Sequence, residues 1–254
     1  MAFLKEYKKI MTSQILFYEE ATAVSQERHQ KWAVETGTDF AFARRTNSVP
    51  LMAVEFPSAA QEYAIVFAGT AETMILPAAI LGIEDKQNLY ITADGGWKGS
   101  YIPAFVRRYP FIFATNDEGK TFTLCIDEGF AGCNQDDRGQ RLFLDDGERS
   151  DYLQGVLKFL QDYQIQHQRT QAFTQRLREL DLLEPMQANV ALTSGEKFSL
   201  AGFHVVSREK LKKLSGEQAA ELLRSDELEL IYTHLQSLRK FSAMADRLTG
   251  TRAP

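Results

Sequence analysis

Cysteine is scarce in this chain: its 254 residues include two, Cys125 and Cys133. Two thiols cannot build a disulfide framework at this length, so a reducing compartment is the default. The stretch CIDEGFAGC has no histidine beside it and separates the thiols far more widely than the short pairs that hold zinc. Histidine is nearly as rare, with His29, His167, His204 and His234 standing singly and no His-x-Asp or His-x-Glu pair to suggest an iron or zinc site. No metal and no cofactor are expected. The sequence also lacks a GxGxxG, a GK[ST] phosphate loop, an HExxH and a GxSxG elbow, which removes the usual signatures of nucleotide, metalloprotease and serine-hydrolase chemistry.

Long apolar runs are missing too. None approaches the roughly 18 to 20 residues needed to span a bilayer, so no membrane span is expected. There is no sustained basic stripe, and the net charge of −5 is spread over interspersed acids and bases, which argues against a nucleic-acid partner. The lysines of MAFLKEYKKIMTS precede only a short polar-tinged stretch with no cleavage site, so no Sec signal is read and a cytoplasmic location is expected. Met11 is an alternative start, which would make residues 1–10 an extension.

What is present describes an ordinary globular chain, 44% hydrophobic and 25% charged, and long enough for one large domain or two small ones. From Val49 to about Leu144 the apolar residues fall in strand-length runs: AIVFAG at 64–69, AAILGI at 78–83, NLYIT at 88–92, FIFAT at 111–115 and TFTLCID at 121–127. Turn formers at Asp94-Gly95-Gly96 and Asn116–Gly119 separate them, which predicts antiparallel strands, with a hairpin loop at Asn116–Gly119. Helical turns are expected at Pro57–Tyr63 and Pro103–Tyr109, each starting with a proline.

Beyond Asp145-Asp146-Gly147 the period changes: Leu153, Val156, Leu157, Leu160, Tyr163, Phe173, Leu177 and Leu180 predict a long helix with Ser150 as N-cap, bent in the polar stretch Gln164–Gln168. Residues 188–206 revert to a short hairpin around Ser194-Gly195-Glu196. Ser207 then caps a brief helix, and Ser215-Gly216-Glu217-Gln218 reads as a capping box opening a helix with a stripe through Leu228, Ile231, Leu235, Leu238 and Leu248, ending in a frayed TGTRAP tail. The fold class is α+β: an antiparallel β-rich part at 13–148 packed against a helical part at 149–254 as one compact unit.

Two groups of residues carry candidate chemistry. In Cys125-Ile126-Asp127-Glu128, a thiol and two carboxylates lie at the end of a strand, with Cys125 and Asp127 on one face and Glu128 on the other. They are the candidate catalytic residues. The bland alternative has Asp127 and Glu128 accepting hydrogen bonds from a turn or pairing with an arginine. In WKGSYIPAFVRRYPF, Arg107 and Arg108 are candidate carboxylate or phosphate binders, with Trp97, Tyr101 and Tyr109 as aromatic partners. On a short helical turn the two guanidiniums point differently, so at most one enters a common pocket. Here the alternative is a core of aromatics with an internal salt bridge.

The combination of PLMAVEF at 50–56, LGIEDKQNLYI at 81–91, YIPAFVRRYPF, LCIDE at 124–128, LFLDDGE and IYTHLQSL at 231–238 resembles the SapC family of bacterial proteins over roughly residues 13–240. The resemblance implies an association with a bacterial surface layer, a paracrystalline coat linked to serum resistance, and carries no established reaction. The permease label given to some members conflicts with the missing membrane span. The expected function is that of a non-enzymatic protein- or peptide-binding accessory factor for surface-layer or envelope proteins. An enzyme acting on a peptide or small acid through Asp127 or Glu128, and a structural coat component, are the alternatives; the oligomeric state is open.

Overall fold

Four of the five apolar runs read between Val49 and Leu144 form strands, and the strands pair antiparallel throughout the described residues. The computed structural model describes residues 16–69, 74–115, 121–192 and 194–252, so residues 1–10, Met11 and the Asn116–Gly119 loop lie outside the described residues. In chain order the strands are β1 (Ala21–Ala23), β2 (Ala33–Val34), β3 (Ser48–Pro50), β4 (Ile65–Ala68), β5 (Leu76–Ile80), β6 (Phe111–Thr115), β7 (Phe122–Asp127), β8 (Cys133–Asn134), β9 (Gln140–Arg141), β10 (Leu183–Ala191) and β11 (Lys197–Val206). The helices are α1 (Gln26–His29), α2 (Phe56–Ala59), α3 (Ala104–Arg107), α4 (Asp151–Glu179), α5 (Arg208–Leu211), α6 (Gly216–Arg224), α7 (Glu227–Ser237) and α8 (Lys240–Arg252). The class is α+β, as the sequence predicts.

The chain forms two units. One comprises the residues up to Thr38 with Arg107–Asp162, the other Asp39–Val106 with the residues from Tyr163 onward.

In the first unit the sheet order is β1-β7-β6, with Phe111 opposite Ile126 and Ile112 opposite Cys125. Alternation along β7 sends Ile126 into a core with Phe111, Leu142, Leu153 and Leu160, while Cys125 and Asp127 share the other face and are also buried. A second sheet, β8-β2-β9, is made of two-residue strands and adds Val34 to that core. Ser150 caps α4 as read: its Oγ accepts the Leu153 N–H at 3.2 Å and donates to the Arg141 carbonyl at 2.6 Å. Ser150→Ala is expected to lower stability by about 1 kcal/mol in urea denaturation, the usual loss when a cap is truncated.

The predicted long helix forms as α4, which runs without a break in its assignment for 29 residues. Its buried stripe continues through His167, Thr170 and Thr174 to Phe173 and Leu177, so polar residues fill the positions where an apolar count finds a gap.

The second unit holds a five-stranded sheet in the order β10-β11-β4-β5-β3. Val66, Ala78, Ile80, Val190, Phe203 and Val205 of this sheet meet Phe241 and Met244 of α8 in one core. Each valine, isoleucine, phenylalanine or methionine among them contributes about 1.5–3 kcal/mol when fully buried. The hairpin near 188–206 starts earlier than read, at Leu183, and tolerates Pro185 because β10 is an edge strand.

Four expectations need correcting in this unit. NLYIT is not a strand: Asn88 Oδ1 accepts the Tyr90 N–H at 2.9 Å and its Nδ2 donates to the Ala43 carbonyl at 3.1 Å, so the segment is a buried turn. Only Ile91 bridges to Trp97, across a turn in which Gly95 adopts φ +91°, open to glycine at no steric cost. The single helix after Ser215 is three. The capping box forms as read, with Ser215 and Gln218 bonding each other's backbone N–H, but Asp226 in the left-handed region at φ +60° separates α6 from α7, and a turn at Leu238-Arg239 separates α7 from α8. The TGTRAP tail is helical as far as Arg252; Ala253 and Pro254 lie outside the described residues. The turn read at 57–63 is also displaced, since a 3-10 turn at Ala53–Glu55 leads into α2, which ends at Ala59. Among the described residues no helix is long and apolar enough to cross a membrane.

Candidate functional site

In the first unit, β7 delivers Asp127 to a fully buried position, where it acts as an acceptor hub. Its Oδ2 accepts the Glu19 N–H at 2.9 Å and the Tyr109 hydroxyl at 3.1 Å, and its Oδ1 accepts the Glu20 and Gly129 N–H groups, both at 3.2 Å. Glu128, one residue on, faces elsewhere and binds Arg28 through both oxygens, at 2.5 and 2.6 Å, with His29 Nε2 at 3.2 Å from Oε1. The bond from Arg28 is the main reason its carboxyl lies below the usual range, with burial acting the other way. The arginine partner of Glu128 is therefore Arg28.

The thiols are held in their inert form. Burial raises Cys125, and it pushes Cys133 up to about 12 with Asp127 and Glu128 adding to the effect.

Arg107 and Arg108, at the end of α3 and just beyond it, enter different environments as their spacing requires. Arg108 is buried, its guanidinium 6.0 Å from the centre of the Tyr18 ring, and Tyr18 in turn donates to the Phe111 carbonyl at 2.7 Å. Tyr109 packs edge-on against Tyr18 and Phe130, and burial, followed by the nearby Asp127 charge, raises its hydroxyl above the ordinary phenol range. Arg107 is exposed, with its guanidinium 5.3 Å from the centre of the Phe159 ring.

Trp97 and Tyr101 belong to the second unit. Trp97 stacks on Tyr90 at 6.1 Å and donates from Nε1 to the Tyr63 hydroxyl at 2.9 Å, and Tyr63 donates to the Tyr101 carbonyl. Glu62 Oε1 accepts the Ser100 and Tyr101 N–H groups at 2.7 and 3.0 Å. Tyr101 reaches Glu55 Oε1 with its hydroxyl at 2.6 Å; the same oxygen accepts the Ala104 N–H at 2.7 Å, and Oε2 accepts the Met52 N–H at 2.8 Å. The five aromatic and basic candidates thus divide between the units, with Trp97 and Tyr101 in one and Arg107, Arg108 and Tyr109 in the other.

Sequence reasoning missed Glu55, Glu62, Tyr63 and Tyr90. The available signal was a single acid in the apolar run PLMAVEF, which is costly to bury unless its oxygens are fully bonded. Among the described residues no group of three or more His, Cys, Asp or Glu side chains is placed to hold a metal ion.

The fold and these side chains define an α+β protein in which two buried carboxylates, Asp127 and Glu55, each tie one unit's loops together. By sequence the chain belongs to the SapC family, whose model matches residues 24–244. No curated protein and no solved structure matches it.

Proposed function

We propose that the protein is a non-enzymatic binding factor for a bacterial protein or peptide, linked to surface-layer or envelope proteins. The observation that carries this reading is Arg107, an exposed arginine whose guanidinium is stacked over the Phe159 ring, the arginine–aromatic pairing that binding surfaces use as an anchor. The non-enzymatic part is supported by the engagement of the carboxylates and thiols in structural bonds, since a general base or nucleophile needs a free, reachable proton site. The surface-layer link is supported by membership of the SapC family, which takes its name from a protein associated with a bacterial surface layer.

Immobilised protein is expected to retain a specific partner from an envelope extract of the native bacterium, and Arg107→Ala to weaken that retention about ten-fold or more, the loss typical of an arginine anchor. Equal retention by the wild type and Arg107→Ala, or no specific partner for either, would remove the basis for this reading.

A further inference from the structure

A separate groove in the second unit has a different chemistry. It has a volume of about 520 Å³ and lies between α2 and the α7–α8 corner. Its polar lining is Gln61, Thr233, Gln236, Arg239 and Lys240, with Pro57 and Ala243 among the apolar walls. No carboxylate is among the lining residues.

The fold explains why two cations project there. Leu238 packs against the sheet core and Phe241 is buried within it, so the residues between them at the corner are turned outward, Arg239 exposed and Lys240 half-buried. The wall that carries them is fastened from below: Ser237 Oγ accepts the Ile65 N–H at 3.0 Å, and His234 Nδ1 lies 2.9 Å from the Ile65 carbonyl. The groove is therefore built on a fixed helix.

Some cations of the second unit, such as Arg176, Lys210 and Lys212, stand in an ion pair. The side chains of Arg239 and Lys240 make none among the described residues, although the chain carries five more acids than bases. Two adjacent cations without a counter-charge, in a concave surface, favour an anion from outside.

We propose that this groove binds a short acidic peptide segment. The volume lies within the ~300–1,000 Å³ of sites that enclose drug-sized ligands, too large for a lone phosphate to fill. Arg239 and Lys240 take the side-chain carboxylates, while Gln61 and Gln236 offer amide groups of the kind that match a peptide backbone. This site is independent of the Arg107 reading.

The test uses the full chain and a fluorescein-labelled, acetylated hexapeptide of alternating glutamate and alanine, followed by fluorescence anisotropy at low salt. Saturable binding is expected, about ten-fold or more tighter than for the same peptide with glutamine replacing glutamate, and weakened about ten-fold by the Arg239→Ala/Lys240→Ala double variant. Arg239→Gln/Lys240→Gln should behave like the alanine pair, and both should keep the wild-type circular dichroism spectrum, which separates loss of the site from loss of the fold. Arg107→Ala should leave this affinity unchanged. Absence of saturable binding, equal affinity for the two peptides, an unaffected double variant, or full displacement by equimolar inorganic phosphate would each overturn the proposal.

Discussion

Asp127→Asn is expected to cost about 3–5 kcal/mol of stability in guanidinium or urea denaturation, nearly as much as Asp127→Ala. The two oxygens of Asp127 are used only as acceptors, each taking two donors: Glu20 and Gly129 N–H on one, Glu19 N–H and the Tyr109 hydroxyl on the other. An amide of the same shape must turn its NH2 toward one of these pairs. Whichever way it flips, two donors then face a donor in a site with no exposure, and buried donors without acceptors carry their full desolvation cost. Size is conserved in the substitution, so a packing defect cannot explain the loss. If Asp127 were merely filling space, the asparagine variant would stay within about 1 kcal/mol of wild type, and that result would dismiss the hub.

The same residue marks the limit of what the sequence discloses. Its place at the end of a strand, on the same face as Cys125, follows from the alternation in TFTLCID, and β6 and β7 emerge where the apolar runs place them. The alternative of a carboxylate bonded to a turn was also legible. The particular donors at Glu19 and Glu20 were not, because they arrive from 108 and 107 residues away. Glu55 repeats the lesson, since its partners Tyr101 and Ala104 are 46 and 49 residues distant. Local chemistry fared better at the Ser150 cap and the Ser215–Gln218 box, whose partners lie within three residues, whereas Ser207, also read as a cap, makes no side-chain capping bond to α5. NLYIT failed because its apolar residues are buried without a ladder partner, the Asn88 side chain bonding the Tyr90 N–H and the Ala43 carbonyl instead. The single helical stripe from Leu228 to Leu248 failed because periodicity survives a tight corner: Leu238 at the corner and Phe241 and Met244 of α8 keep the apolar spacing, and Arg239 carries no turn signal, whereas Ser225-Asp226 ahead of α7 is of a turn-forming type.

His234, one of four histidines that stand singly in the sequence, is expected to make this protein acid-sensitive. It is fully buried against the Phe67 ring, with Nδ1 2.9 Å from the Ile65 carbonyl, and its Nε2 accepts the Val206 N–H at 3.1 Å. The Nδ1–H tautomer satisfies both, donating to Ile65 and accepting from Val206. A proton on Nε2 would set N–H against N–H and place a charge in a core, and burial accordingly lowers the imidazole from 6.5 to about 4. A histidine with a depressed folded-state value favours folding when neutral. Its contribution is complete above pH 6.5, falls as pH drops through the window from 6.5 to 4, and is gone below that. Integrated to pH 4, the loss is about 3 kcal/mol. His234→Ala removes this dependence while lowering stability at neutral pH by about 3 kcal/mol, since the Ile65 carbonyl and the Val206 N–H lose their partner and a cavity opens. The measurement is urea denaturation of both proteins across this pH range. The gap between wild type and His234→Ala should shrink by about 3 kcal/mol from pH 7 to pH 4. A gap that stays constant would mean that His234 titrates alike in the folded and unfolded chain, and that the link it makes between β4 and β11 does not depend on its protonation.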